Sequence, residues 1–231
     1  MLKNTKEAWC EAWGAYHTGN PELPDYIAKH IELATEKPLS EREFSPRKAT
    51  KGTYGVNWKK VQSPEYRASL EKLSESNKVV NSIEIRAKWA LNNRNGLNTE
   101  ELYAISLDTG EEIASVLGQQ IEFGVQRTEL FIRRLSKADK NREKVLLLHN
   151  HPRGFPPSIG DINTLVANKN VSGITVGHDG SIYYYSRPSR VIPENDFRVA
   201  LMRYSRYTEI TGFEKALEDL SKEFGFGFRK L

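Results

Sequence analysis

Two of the five histidines in the chain, His149 and His151, stand two positions apart at the end of an apolar run in "VLLLHNHPRGFPPSIGD". On a β-strand that spacing points both imidazoles to one face, and Pro152 ends the strand directly after them. A pair of neutral imidazoles offers two nitrogen ligands to a borderline-soft cation such as Zn²⁺. Ser158 follows two prolines and opens a helix, which puts Asp161 in that helix's first turn. A strand end and the next helix start can lie close together, so Asp161 can add an oxygen ligand. Two histidines and one aspartate leave the fourth tetrahedral position to water, the pattern of a catalytic rather than a structural zinc site. Chance supplies an H-x-H about 0.1 times in a chain with this histidine content, and requiring the proline lowers that to about 0.005. Ser158-x-x-Asp161 also fits a helix capping box; behind two co-facing histidines, the ligand reading is the stronger of the two.

The elements that must position these groups lie between Thr99 and Arg187. "LYAISL", "DTGE" and "EIASVLG" predict a β-hairpin over 102–117. "TELFIRRLSK" predicts a helix, "KVLLLH" a central strand covered on both faces, and "SIGDINTLVAN" a helix. "VSGITV" predicts a strand, "HDGS" a turn, and "IYYYS" the final strand. The expected fold class is therefore α/β, a mixed β-sheet sandwiched by helices, with helical extensions at both ends.

Residues 1–98 read as a helical N-terminal region, with a polar linker near 38–56 in "PLSEREFSPRKATKGTYG". "SPEYRASLEKL" carries Ser63 as N-cap and Pro64 at the first helical position. "NKVVNSIEIRAKWALNN" sets Val80, Ile83, Ala87 and Leu91 at helical spacing, ending near Asn95-Gly96. Residues 188–231 read as two further helices, and the catalytic core is drawn as 99–187.

"HNHP" followed by "PSIGD" resembles the motif of the JAMM (MPN-plus, JAB-domain) metalloproteases: H-x-H-P, a short spacer, then S-x-x-D. The HNHP form is similar to the RadC-like and phage-associated branches of that family, and the likeness spans about 99–187. It implies a JAMM, cytidine-deaminase-like core in which His149, His151 and Asp161 bind one catalytic zinc. It also implies that Ser158 helps stabilise an oxyanion and that an upstream glutamate acts as general acid and base. The spacer from His151 to Ser158 is one residue shorter than the family's usual pattern. "NTEELYAISLDTG" offers Glu100 and Glu101 for the glutamate, and only one can face the zinc because neighbours on a strand point opposite ways. In the RadC-like pattern the glutamate precedes the "LYAISLD" strand by two positions, which favours Glu100. Glu111 and Glu112 fall in the hairpin turn and are poorer candidates.

The resemblance implies a zinc metallopeptidase or isopeptidase acting on a protein or peptide. A phage structural protein, a host protein, a ubiquitin-like conjugate and a cell-wall peptide are all compatible substrates. "VNWKKVQSPEYRASLEKL" and "LNNRNGLNTEELYAISLDTG" loosely resemble parts of phage head-morphogenesis proteins, which makes a phage or prophage origin an expectation. Two other classes stand beside the hydrolase: a non-catalytic JAMM-fold binding or assembly module, and a RadC-like DNA-associated protein.

Composition bounds these choices loosely. The 231 residues suffice for a buried core without a staple, and the single Cys10 excludes both an intrachain disulfide and a thiolate zinc cluster. The net charge of +4 lies wholly in 1–98, with 16 Lys/Arg against 12 Asp/Glu, since the remainder balances at 18 against 18. Interspersed signs fit an ordinary helical surface better than a nucleic-acid interface, so nucleic acid is only weakly supported. No run of about 18 apolar residues exists, and "MLKNTKEAWCEAWGAY" lacks a signal-peptide core. The expectation is a cytoplasmic or virion-associated protein that does not engage a membrane. His178 reads as a turn residue, His17 and His30 as surface residues, and Trp9, Trp13, Trp58 and Trp89 as packing anchors. The "YYY" at 183–185 reads as an edge or partly exposed strand, and "GFGF" near the end as uninformative.

Overall fold

The computed structural model describes residues 54–116 and 127–231. The expected helices before residue 54, most of the polar linker, Cys10, Trp9, Trp13, His17 and His30 lie outside them. So do Leu117 and Gly118, at the far end of the expected hairpin.

Three helices come first: α1 (Trp58–Val61), α2 (Pro64–Glu71) and α3 (Asn77–Asn93). The α2 helix starts as its sequence dictates, with Ser63 Oγ accepting from the Tyr66 amide at 3.3 Å and Pro64 just inside. Val80, Ile83, Ala87 and Leu91 of α3 are all buried. The hairpin follows as β1 (Leu102–Ser106) and β2 (Glu112–Val116), then α4 (Glu129–Lys140), β3 (Val145–His151) and α5 (Ile159–Asn163). The chain closes with β4 (Val171–Gly177), β5 (Ile182–Tyr185), α6 (Glu194–Arg203), α7 (Glu209–Phe224) and β6 (Phe228–Lys230).

The strands form one six-stranded sheet in the order β2-β1-β3-β4-β5-β6. Only β3 and β4 pair in parallel, and every other pair is antiparallel. This is a mixed α/β fold with helices against both faces. Side-chain alternation splits the core in two. Leu102, Ala104, Val145 and Leu147 meet α4 to α7 on one face, while Tyr103, Ile105, Leu146 and Leu148 meet α1 to α3 on the other. Residues 54–98 cover one face of the sheet, and residues 188–231 cover part of the other.

Three sequence expectations differ from the structure. The strand at 182–185 is not the last and not an edge: β6 pairs beside it, with Tyr185 opposite Phe228, and Tyr183 and Tyr185 are buried. Three tyrosines in a row suit a partly exposed edge strand, but β6 returns to take the edge and Tyr185 packs into the core beneath the helices. The "GFGF" stretch makes that return, since Gly225 ends α7 with φ 66° and turns the chain toward β6. The helix expected over "SIGDINTLVAN" regularises for only five residues.

Candidate metal centre

The site forms at the carboxyl end of β3, where antiparallel pairing brings β1 alongside. Leu102 stands opposite His149. Continuing that register off the end of β1 sets Glu101 opposite Asn150 and Glu100 opposite His151. Glu100 thus shares the face of the two histidines, and Glu101 turns to the other. There the Glu101 carboxylate pairs with Arg94 at 3.1 Å and accepts from Asn93 at 3.2 Å and the Tyr103 hydroxyl at 3.0 Å. Its negative charge is already balanced away from the histidines.

His149 Nε2 and His151 Nε2 face each other at 2.9 Å. Asp161 Oδ2 lies 3.5 Å from the first and 3.6 Å from the second, and Glu100 Oε1 lies 3.9 Å from His151 Nε2. Glu100, His149 and His151 form a group able to hold a metal ion, with their candidate ligand atoms all within 4.8 Å of one another. Two carboxylates compete for the third place, and distance favours Asp161. The two Nε2 atoms and Asp161 Oδ2 form a triangle and lie close enough together that all three could contact a single cation. The donor set of two imidazoles and a carboxylate suits zinc equally well.

Further contacts fix these side chains. His151 Nδ1–H donates to the Phe155 carbonyl at 2.8 Å, which leaves the neutral ring's lone pair on Nε2, aimed at the site. The loop carrying Phe155 is held by an edge contact with Phe213, at 5.9 Å between ring centres, and by buried Pro156 and Pro157. Asp161 is oriented by the capping box of α5. Its Oδ2 accepts from the Ser158 amide at 2.8 Å and hydroxyl at 2.7 Å, while Ser158 Oγ accepts from the Asp161 amide at 3.1 Å. Capping and ligation are not alternatives here, because the oxygen that caps the helix is the one that faces the imidazoles. Ser158 Oγ is engaged by Asp161 in both directions, so in this geometry it serves the carboxylate and is not free to hold an oxyanion.

Burial lowers the pKa of His151, yet the hydrogen bond to Asp161 and the charges of Glu100 and Asp161 outweigh it and hold the ring up at about 9. Burial raises the pKa of Asp161, and the two histidines more than reverse this, keeping it well below the usual carboxylate range. Opposed shifts of this kind are a common feature of functional sites.

A cleft of about 60 Å³ opens beside the triangle, lined by Glu100, His149 and Asp161 together with Leu102, Leu147, Arg127, Thr164 and Tyr185. Burial, reinforced by the Asp161 and Glu100 charges, raises the Tyr185 hydroxyl pKa well above the phenol's usual value, so it stays protonated. Sequence reading missed Arg127, Thr164 and Tyr185, which no motif marks; only the pairing of β4 with β5 brings Tyr185 to this face. His178, expected in a turn, does sit there but is buried, with Nδ1–H donating to the Tyr54 carbonyl at 2.7 Å. The positive φ of that turn falls on Gly180, not on the histidine.

Fold and site together define a mixed α/β protein with a buried histidine–carboxylate group able to hold a metal ion. No family model, curated protein or solved structure matches the chain.

Proposed function

We propose that this protein is a zinc-dependent peptidase or isopeptidase of the JAMM type, with His149, His151 and Asp161 as metal ligands and Glu100 as general acid and base. The observation that carries the reading is the triangle of two Nε2 atoms and Asp161 Oδ2, with the Glu100 carboxylate 3.9 Å from its edge. Zinc bound there would supply a Lewis acid and lower the pKa of water to about 7. Glu100 is placed to accept a proton from an attacking water and return it to the leaving nitrogen. Asp161, bound by its cap, brings negative charge to the site without moving. His149 and His151 are both buried, which limits the reach of bulk water to them. The cleft walled by Arg127, Thr164 and Tyr185, at about 60 Å³, would hold a few water molecules beside the histidines, the attacking one among them. We assign Ser158 to orienting Asp161, in place of the oxyanion role that the motif alone implies. The JAMM-like core, the zinc, and a phage or prophage setting with a phage or host protein as substrate belong to this same reading.

The test is metal analysis of the purified full chain together with hydrolysis of a mixture of internally quenched peptides. Stoichiometric zinc that is lost in His149→Ala, with chelator-sensitive cleavage, supports the assignment. Glu100→Gln should keep zinc bound while cleavage falls by about 10²–10⁴-fold. Metal-free protein that cannot be loaded, or full turnover in Glu100→Gln, overturns it.

A further inference from the structure

Asn150 lies between the two histidines but points the opposite way, into the core, with none of its surface exposed. Its amide makes three of the four hydrogen bonds open to it. Oδ1 accepts from the Glu101 amide at 2.8 Å, and Nδ2 donates to the Thr99 carbonyl at 3.1 Å. The remaining N–H meets His178 Nε2 at 3.2 Å. That ring gives its Nδ1 proton to the Tyr54 carbonyl, so Nε2 is left to accept. The amide's orientation is thus fixed from three sides.

The first two bonds grip the peptide groups on either side of Glu100. This segment precedes β1, whose ladder with β3 begins at Leu102. The Asn150 side chain continues the pairing there, bonding one amide and one carbonyl of a backbone stretch close to the core. We infer that Asn150 is a positioning residue, which clamps the Thr99–Glu101 backbone and so holds the Glu100 carboxylate against His151, with His178 and Tyr54 bracing the clamp from behind. The catalytic consequence rests on the peptidase reading above; the clamp itself does not. Because a misplacement of about 1 Å in a catalytic group can cost about 10²-fold in rate, loss of the clamp should lower kcat by about 10–100-fold and leave KM and zinc content unchanged.

Two readouts test this in the full-length protein. Amide hydrogen exchange reads the clamp without reference to activity. The Glu101 amide, whose partner is a side chain, should be protected in the native protein and exchange at least tenfold faster in Asn150→Ala. Asn150→Asp keeps the acceptor toward Glu101 but loses both donors, and should fall between the two. An unprotected native Glu101 amide, or exchange unchanged in a folded Asn150→Ala protein, overturns the clamp; the first of these needs no variant to fold. The second readout is a double-mutant comparison with the quenched-peptide mixture. If Asn150 acts through Glu100, then Asn150→Ala costs its 10–100-fold in the native background and nothing further in Glu100→Gln. An equal loss in both backgrounds, or a loss of zinc, marks a general structural role and overturns the positioning role. Should the native protein cleave nothing, the peptidase reading fails while the exchange data still decide the clamp.

Discussion

His151 carries the clearest consequence at the scale of single residues. Its pKa of about 9 in the metal-free protein means that the ring is protonated at neutral pH, whereas a metal ligand must present a free Nε2. Zinc binding should therefore release a proton, and apparent affinity should rise about tenfold per pH unit until the pH nears that pKa. Chelator competition between pH 6 and pH 8 measures this, and a flat profile counts against His151 as ligand. The stability linkage of the metal-free protein runs the other way. The folded pKa lies above the ordinary value of 6.5, so His151's contribution is complete below that value and lost as pH rises through about 9. Melting curves should show that loss in the metal-free native protein and lack it in His151→Gln. The same scale separates Glu100 from its neighbour, for Glu101 is held by Arg94, Asn93 and Tyr103, and Glu100 is not.

At the scale of elements, α5 is five residues long and has one task at the site: it presents Asp161. Its capping box fixes the carboxylate through Ser158, so Ser158→Ala should weaken zinc binding by about 10–100-fold, as loss of an outer-shell partner does. Zinc affinity that survives this change while kcat collapses would return the hydroxyl to an oxyanion role. The strand β3 contributes a different kind of constraint. Its parallel pairing with β4 and antiparallel pairing with β1 set the register that makes Glu100 meet His151. Within "KVLLLHNHP" the strand, its burial on both faces and its end at the proline were legible, because alternation and proline are local. The contact with Glu100, 51 residues upstream of His151, depends on register, which no local pattern encodes.

For the whole molecule, the sheet separates two apolar cores, one closed by the helices of residues 54–98 and the other by α4 to α7. Ile83 of α3 and Leu217 of α7 are fully buried on opposite faces. Ile83→Ala and Leu217→Ala should each cost about 2–5 kcal/mol. Since the two sites share no partners, their costs should add to within about 0.5 kcal/mol in the double variant, as urea unfolding would read. Strong coupling between them would mean that the two layers are not independent. Among the described residues no helix is long and apolar enough to cross a membrane.

By itself, the sequence determined the elements around the site and three of the side chains that converge there, His149, His151 and Asp161. The strand ending in two same-face imidazoles, the proline that stops it and the serine-capped turn carrying Asp161 all follow from side-chain chemistry within a few residues. It also placed the apolar stripe of α3 and the N-cap of α2 for the same local reason. What only the tertiary structure decided are the relations between distant segments. Glu100 rather than Glu101 faces the two histidines because β1 pairs with β3 in one register. Asn150 reaches back to residues 99 and 101 because that same register brings them opposite. The strand β5 lies inside the sheet because residues 228–230 return as β6, and Tyr185 is buried in the core under α4 to α7. Long-range pairing is selected by the joint burial of two cores, a global energy that no short window of residues contains.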